Sequence, residues 1–216
     1  MSDIKISTEK QENINNLEPK KQFRRVALLV GYIGTNYHGV QIQNKQNIKT
    51  IEGELFKALA DSGAVKEQNC FDTRKMSFQR CSRTDKHVSA IRQVFSLKML
   101  CDSTIIEEIN KFLPSEIRVF GLRKVTKKFD CKRCCTSRMY EYTIPSYAYA
   151  DSLENTFTEF RIDDIKKQKL TQLIHMYKGT RDFYNFTSKR PNDIKPLKRY
   201  ILDFSVLIYN SLYFTF

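Results

Sequence analysis

RRVALLVGY, residues 24–32, decides the fold. Val26 to Val30 are apolar without a break, and the run ends at Gly31 and Gly34. A short continuous apolar run closed by glycines fits a buried strand leading into a turn. Downstream, TIEGELFKALADSG (50–63) places Ile51, Leu55, Ala58 and Leu59 on one side and stops at Gly63, which predicts an amphipathic helix. AIRQVFSLKM (90–99) alternates, with Phe95, Leu97 and Met99 facing one way and Ser96 and Lys98 the other, as a half-buried strand does.

In STIIEEINKFLP (103–114), Thr104 and Glu107 have the spacing of a capping box, Ile106, Ile109 and Leu113 share a face, and Pro114 ends the run. EIRVFGLRKV (116–125) and RMYEYTI (138–144) read as two strands joined by a basic connector. DDIKKQKLTQLIHMYKG (163–179) starts on acidic caps, aligns Leu170, Leu173, Ile174 and Tyr177, and stops at Gly179. The remainder predicts a strand from Tyr200 to Ile208, a turn at YNS (209–211) and a last strand. This order argues for an α+β fold with a largely antiparallel sheet and helices on one face. Residues 1–22 are polar and without periodicity, a flexible tail.

The chain has 216 residues, 37 Lys plus Arg against 24 Asp plus Glu, and a formal charge of +13. That balance favours a polyanionic partner, nucleic acid first. The absence of a run of about 18 apolar residues or a short apolar leader makes a soluble intracellular protein the expectation. In a reducing compartment the six cysteines are expected to be thiols, Cys131 and Cys134 being the pair that offers a structural zinc two of its four ligands. GYIGTNYHG (31–39) lacks the spacing and the Lys-Ser/Thr ending of a phosphate-binding P-loop, so nucleotide hydrolysis is not expected.

Between Asp72 and Asp102 the only acid is Asp85, among Arg74, Lys75, Arg80, Arg83, Lys86, Arg92 and Lys98. Cations nearby favour the ionised carboxylate, and in an extended chain Arg83 and Asp85 point to one side and can touch. By itself the pattern fits a turn acid neutralised by local arginines as well as a reactive group. A second basic stretch carries Arg118, Arg123, Lys124, Lys127, Lys128, Lys132, Arg133 and Arg138 against the single acid Asp130, a surface suited to phosphate contacts.

Four stretches taken together go further. RCSRTDKHVSA (80–90) resembles the RTDxGVxA motif around the catalytic aspartate of the TruA family of tRNA pseudouridine synthases, and LLVGYIGTNYHGVQIQ (28–43) resembles that family's opening strand and turn. KRCCTSRMYEYTIPSY (132–147) is similar to its Arg-x-Tyr-x-Tyr strand in the eukaryotic, multisite-specific form, and YKGTRDFYNFTSK (177–189) to its GTxxFxNFT segment. All four fall in the family's order.

The resemblance implies ferredoxin-like (RRM-like) subdomains of a pseudouridine synthase fold meeting at a central RNA-binding cleft, the first over 23–128 and the second over 129–216. It implies Asp85 as nucleophile, Tyr140 as the tyrosine that packs on the target base, and Arg83, Arg138 and Lys86 as substrate contacts. Arg80, Arg92, Lys127, Lys128, Lys132 and Arg133 are expected on the RNA backbone. No cofactor is required, tRNA is the partner, a homodimer is open, no membrane is involved, and the eukaryotic likeness points to the nucleus.

An anionic Asp suits the chemistry, because a carboxylate can attack an anomeric carbon or stabilise an oxocarbenium-like centre. Three departures stand out. His87 occupies a glycine position, where a positive φ or close RNA approach is the reason for glycine. Val40 replaces a Trp. The sequence reaches Phe216 without the family's QIRKM-like segment and its basic partner of the aspartate, which predicts a truncated form and leaves a catalytically silent RNA-binding relative as a second reading.

Overall fold

The apolar run forms the middle of a sheet because both of its edges are paired. In the computed structural model, which describes residues 22–43, 48–151, 160–186, 197–208 and 212–215, β1 spans Phe23–Tyr32. It pairs antiparallel with β3 (Ala90–Leu100) on one side and β4 (Ile117–Lys124) on the other, and the short β2 (Gln79–Arg80) pairs with β3. The order across the sheet is β2-β3-β1-β4. Helix α1 (Ile51–Asp61) lies between β1 and β2 in the chain, and α2 (Ile105–Phe112) between β3 and β4.

One core joins both helices to one face of this sheet. Val26, Leu28 and Val30 of β1, Phe95, Leu97 and Met99 of β3, Leu55 and Leu59 of α1, and Ile109 of α2 are all fully buried in a single cluster. Phe78 stacks on Phe95 at 5.4 Å between centroids and meets Phe56 edge-on at 4.8 Å, which adds aromatic geometry to area burial. Thr50 caps helix α1, its Oγ1 accepting from the Gly53 N–H, and Gly63 follows the last turn at φ +68°, the stop its sequence predicts.

Helix α2 starts differently. Thr104 is its N-cap but its side chain caps nothing; Asp102 Oδ1 instead accepts from the Thr104 N–H at 3.1 Å and its hydroxyl at 3.3 Å, so the capping box does not form. A second difference concerns Ser96, which the alternation of β3 turns outward and which is fully buried. The connector after β4 covers it: Ser96 Oγ accepts from Arg25 Nη2 at 3.0 Å and from the Cys131 N–H at 3.4 Å, while Arg25 also donates to the Phe129 carbonyl at 2.9 Å. The Cys131 thiol, 3% exposed, donates to the Gln79 carbonyl, and burial pushes it above its ordinary value.

The chain divides into two compact units, Met1–Cys135 and Thr136–Phe216, so residues 129 to 131 pack with the first. The second unit carries β5 (Glu141–Ile144), α3 (Asp164–His175), β6 (Gly179–Asp182), β7 (Lys198–Ile201), β8 (Ser205–Ile208) and β9 (Leu212–Thr215). These form a three-stranded sheet ordered β5-β9-β8 and a two-stranded ribbon β6-β7. Every strand pairing among the described residues is antiparallel. Asp163 caps α3 by accepting from Lys166 N–H. Ile162 is the buried centre of a small cluster with Ile144, Phe160, Leu170 and Phe204.

Three expectations change here. The strand expected over 138–144 begins at Glu141, leaving Arg138 and Tyr140 before it. The strand expected over 200–208 is two strands of different sheets, broken at Leu202 to Phe204, where Asp203 accepts from Lys178 Nζ at 2.6 Å. Leu173 is 49% exposed, so α3 buries a narrower stripe than its apolar spacing implies. The turn at 209–211 and, but for Gln22, the polar tail lie outside the described residues. Among those residues no helix is long and apolar enough to cross a membrane.

Candidate active site

Asp85 sits on the loop from Cys81 to Ser89, between β2 and β3, and almost every residue around it is tied down. Gln93, itself buried, donates from Nε2 to the Ser82 carbonyl at 3.0 Å. Thr84 is held twice: its Oγ1 lies 2.8 Å from Tyr32 Oη, and its carbonyl accepts from the Val40 N–H at 3.1 Å. His87 N–H reaches the Tyr37 carbonyl at 3.0 Å, and Ser89 Oγ accepts from the Gly34 N–H at 2.9 Å. Burial pushes the Tyr32 phenol above its ordinary value, so it stays a neutral hydroxyl able to hold Thr84.

The turn that receives this loop is GYIGTNYHG, and two of its glycines explain themselves by contact. A Cβ on Gly34 would stand 2.0 Å from the Val88 carbonyl oxygen. A Cβ on Gly39, whose φ is +90°, would stand 2.7 Å from the Thr84 carbonyl oxygen. The glycine-rich stretch is therefore a backbone seat for the aspartate loop. His87 sits at φ +67°, so the glycine position it occupies does require the left-handed region. That conformation costs an ordinary L-residue about 1–2 kcal/mol, and the histidine offsets part of it through Nδ1, 2.5 Å from the Thr35 carbonyl oxygen. Val40, in the place of the family's Trp, is fully buried in the main core.

The carboxylate of Asp85 is exposed and, among the described residues, has no ion pair within 4.0 Å and no hydrogen bond. Neutralisation by neighbouring arginines does not occur: Arg83, two residues away, is exposed and forms no ion pair among them, nor does Lys86. The loop leaves the acid facing solvent while its backbone is pinned on both sides.

Arg80 behaves otherwise. Its Nε and Nη2 clasp the two oxygens of Glu52, a fully buried carboxylate at the start of α1, and Glu52 Oε2 also accepts from the Ile42 N–H at 3.0 Å. Expected on the RNA backbone, Arg80 is 20% exposed and is committed to Glu52, tying β2 to α1 and to the end of the glycine turn. Glu52 is absent from the sequence-derived site, yet it carried a signal: it shares a helix face with the apolar Leu55 and Leu59, three and seven positions on. Gln93 carried a similar one, alternating in register with Phe95, Leu97 and Met99.

The other expected contacts are distributed. Arg92 at the start of β3 and Lys127, Lys128, Lys132 and Arg133 of the connector are exposed in the first unit, with Arg133 Nε 3.9 Å from Asp130 Oδ2. Arg138 and Tyr140 belong to the second unit, both exposed, Tyr140 by 50%. Of the cysteines expected to be thiols, Cys131 is buried and hydrogen-bonded to a carbonyl while Cys134, its partner in the Cys-x-x-Cys pair, is exposed.

Fold and loop together define an α+β protein whose first unit presents the Asp85 carboxylate, without an ion pair among the described residues, from a rigid seat. No family model matches the chain. It is 48% identical over 131 residues to tRNA pseudouridine synthase 1 of Candida albicans, covering 60% of this chain and 21% of that protein. It is 41% identical over 190 residues to the pseudouridylate synthase 1 homolog of Mus musculus and 43% identical over 180 residues to that of Homo sapiens. Those matches cover 86% and 82% of this chain but 45% and 42% of the relatives, so the chain spans less than half the length of these proteins. The resemblance carried by the four motifs is thereby borne out: the chain is a homologue of the eukaryotic TruA-type tRNA pseudouridine synthases.

Proposed function

We propose that the chain isomerises uridine to pseudouridine in tRNA, with Asp85 as the nucleophile and without a cofactor. One observation carries the reading: the acid of the RTD motif is exposed and unpaired among the described residues, while Val40 and Tyr37 fix the backbone on either side of it and Tyr32 holds the Thr84 hydroxyl. The structural acid Glu52 is, by contrast, buried and paired. The names of the relatives support the same chemistry. The β1-α1-β2-β3-α2-β4 order with strands arranged 2-3-1-4 supports a ferredoxin-like first subdomain, as a pseudouridine synthase fold requires.

In the reaction the C1′–N1 bond breaks as the Asp85 carboxylate bonds to C1′ or stabilises its developing positive charge. The detached uracil turns, C5 bonds to C1′ and releases the carboxylate, C5 loses its proton and N1 gains one, so the nucleoside keeps its formula. Water must be kept from C1′ meanwhile. The target base has to leave its stack at a cost of a few kcal/mol, offset by phosphate contacts from Arg83, Lys86, Arg92 and the connector lysines and by stacking on an aromatic ring, the role assigned to Tyr140. Arg80, 20% exposed, is held by Glu52.

Incubation with tRNA labelled with tritium at uridine C5 tests the proposal, because the isomerisation must release that tritium. Release by the native protein and its loss in Asp85→Asn, with RNA affinity kept, is the expected result. RNA binding with no release by the native protein would assign a binding protein and overturn the enzyme.

A further inference from the structure

The end of the first sheet opposite the aspartate loop holds a concavity that the reaction does not use. It measures about 230 Å³ and is lined by Phe23, Val65, Lys66, Gln68, Asn69, Lys75, Met76 and Lys98. Its floor is apolar, with Met76 and Val65 buried. Its rim is three ammonium groups and two amides, and no carboxylate is among the lining residues.

The backbone builds this arrangement. The Leu100 N–H donates to the Ala64 carbonyl at 2.8 Å and the Lys98 N–H to the Met76 carbonyl at 2.8 Å, which straps the connector between α1 and β2 against the end of β3. The Lys66 ammonium stands 6.0 Å from the centroid of the Phe23 ring. Lys75 is partly committed, 3.9 Å from Asp72 Oδ2, whereas Lys66 and Lys98 have no ion pair among the described residues. Two uncompensated cations over an apolar floor, with amide groups beside them, match a phosphate carried on a ribose: oxygens to the rim, sugar to the floor.

We propose that the Lys66–Lys98 pocket is a second RNA contact, holding a backbone phosphate far from the nucleotide at Asp85. The proposal rests on the reading of the chain as an RNA-modifying enzyme. Phe23 pairs with Leu100 at one end of the sheet and Tyr32 with Ala90 at the other, nine steps along β1, a separation of about 30 Å at ~3.3 Å per residue. A contact at that distance cannot assist bond breaking at the target. It can set affinity and select RNAs long enough to reach both points.

The experiment compares Lys66→Gln/Lys98→Gln with a control of equal charge, Lys57→Gln/Lys111→Gln on the exposed sides of the helices, and with Lys66→Arg/Lys98→Arg. Full-length tRNA binding is measured against salt, and tritium release at saturating tRNA. Loss of two phosphate contacts lowers the slope of log K against log salt by about 1.4–1.8, leaves release within about 2-fold, and leaves a hairpin too short to span 30 Å bound as by the native protein. The arginine pair keeps the native slope.

A Gln pair indistinguishable from the control pair overturns the pocket. So does a pocket that takes up inorganic phosphate, lost in the Gln pair, while the tRNA slope is unchanged, since its ligand is then a small phosphorylated molecule. Absence of tritium release from the native protein strikes the enzyme reading alone, because the slope is read from binding.

Discussion

Two carboxylates on adjoining segments, Glu52 and Asp85, have opposite surroundings. Glu52 has no exposure, is clasped by Arg80 and takes the Ile42 N–H, so its charge is spent inside the protein. Asp85 lies five residues beyond Arg80, is exposed, and has no partner among the described residues. The contrast teaches how the first unit divides its charge. The arginine of β2 is held by the structural acid, and the hydrogen bonds near the loop go to its backbone and to Thr84 and Ser89, not to the Asp85 carboxylate.

The largest effect should come from breaking the unpaired side. Asp85→Asn is expected to lower tritium release by more than about 10³-fold, as loss of a sole nucleophile does, while the unfolding midpoint in urea shifts by no more than a surface substitution allows, about 0.5 kcal/mol. A large loss of stability in this variant would place Asp85 on the structural side of the comparison.

The paired side should show the reverse. Glu52→Gln leaves Arg80, mostly enclosed, without its counter-charge and is expected to cost about 3 kcal/mol in urea unfolding. Replacing both partners, Glu52→Leu with Arg80→Met, should recover at least half of that, because neither then buries an uncompensated charge. If the single variant is as stable as the native protein, the clasp is not what holds β2 to α1.

Between the two lies the seat. Gly34→Ala puts a methyl group where the Val88 carbonyl oxygen stands and must push the loop outward. A displacement near 1 Å in a reacting group costs about 100-fold in rate, so kcat should fall far more than KM rises. Equal changes in both would show that the loop relaxes without moving Asp85.

The smallest effects belong to His87. Glycine there removes the left-handed penalty but also the contact to the Thr35 carbonyl and some chain stiffness, so stability should change by less than about 1 kcal/mol with activity retained. Valine, branched at Cβ, should instead cost about 1–2 kcal/mol. Thermal unfolding of the pair separates a backbone requirement from a role for the imidazole.

The parts of this protein that were legible in the sequence are those set by neighbours in the chain. The central strand, the Gly63 stop and the acidic cap at Asp163 each rest on a few consecutive residues, and all are present. The RTD loop was legible as a motif, and the left-handed backbone at His87 followed from a glycine's absence. What misled were local signals overruled from afar. Thr104 had a capping partner at the right spacing, but Asp102 took its N–H first. Ser96 alternated outward until residues 129 to 131 folded over it.

The sequence by itself determined the class of fold and the family likeness, because each is written in residue type and short spacing. Only the tertiary structure decided which charges are free. Glu52 and Arg80 are 28 positions apart, and nothing in either stretch says that they meet. Pairing of charges depends on long-range contacts and on the cost of burying either one alone. That is why Arg80 is committed to Glu52, Asp85 has no partner among the described residues, and Lys66 and Lys98 come together at the far end of the sheet.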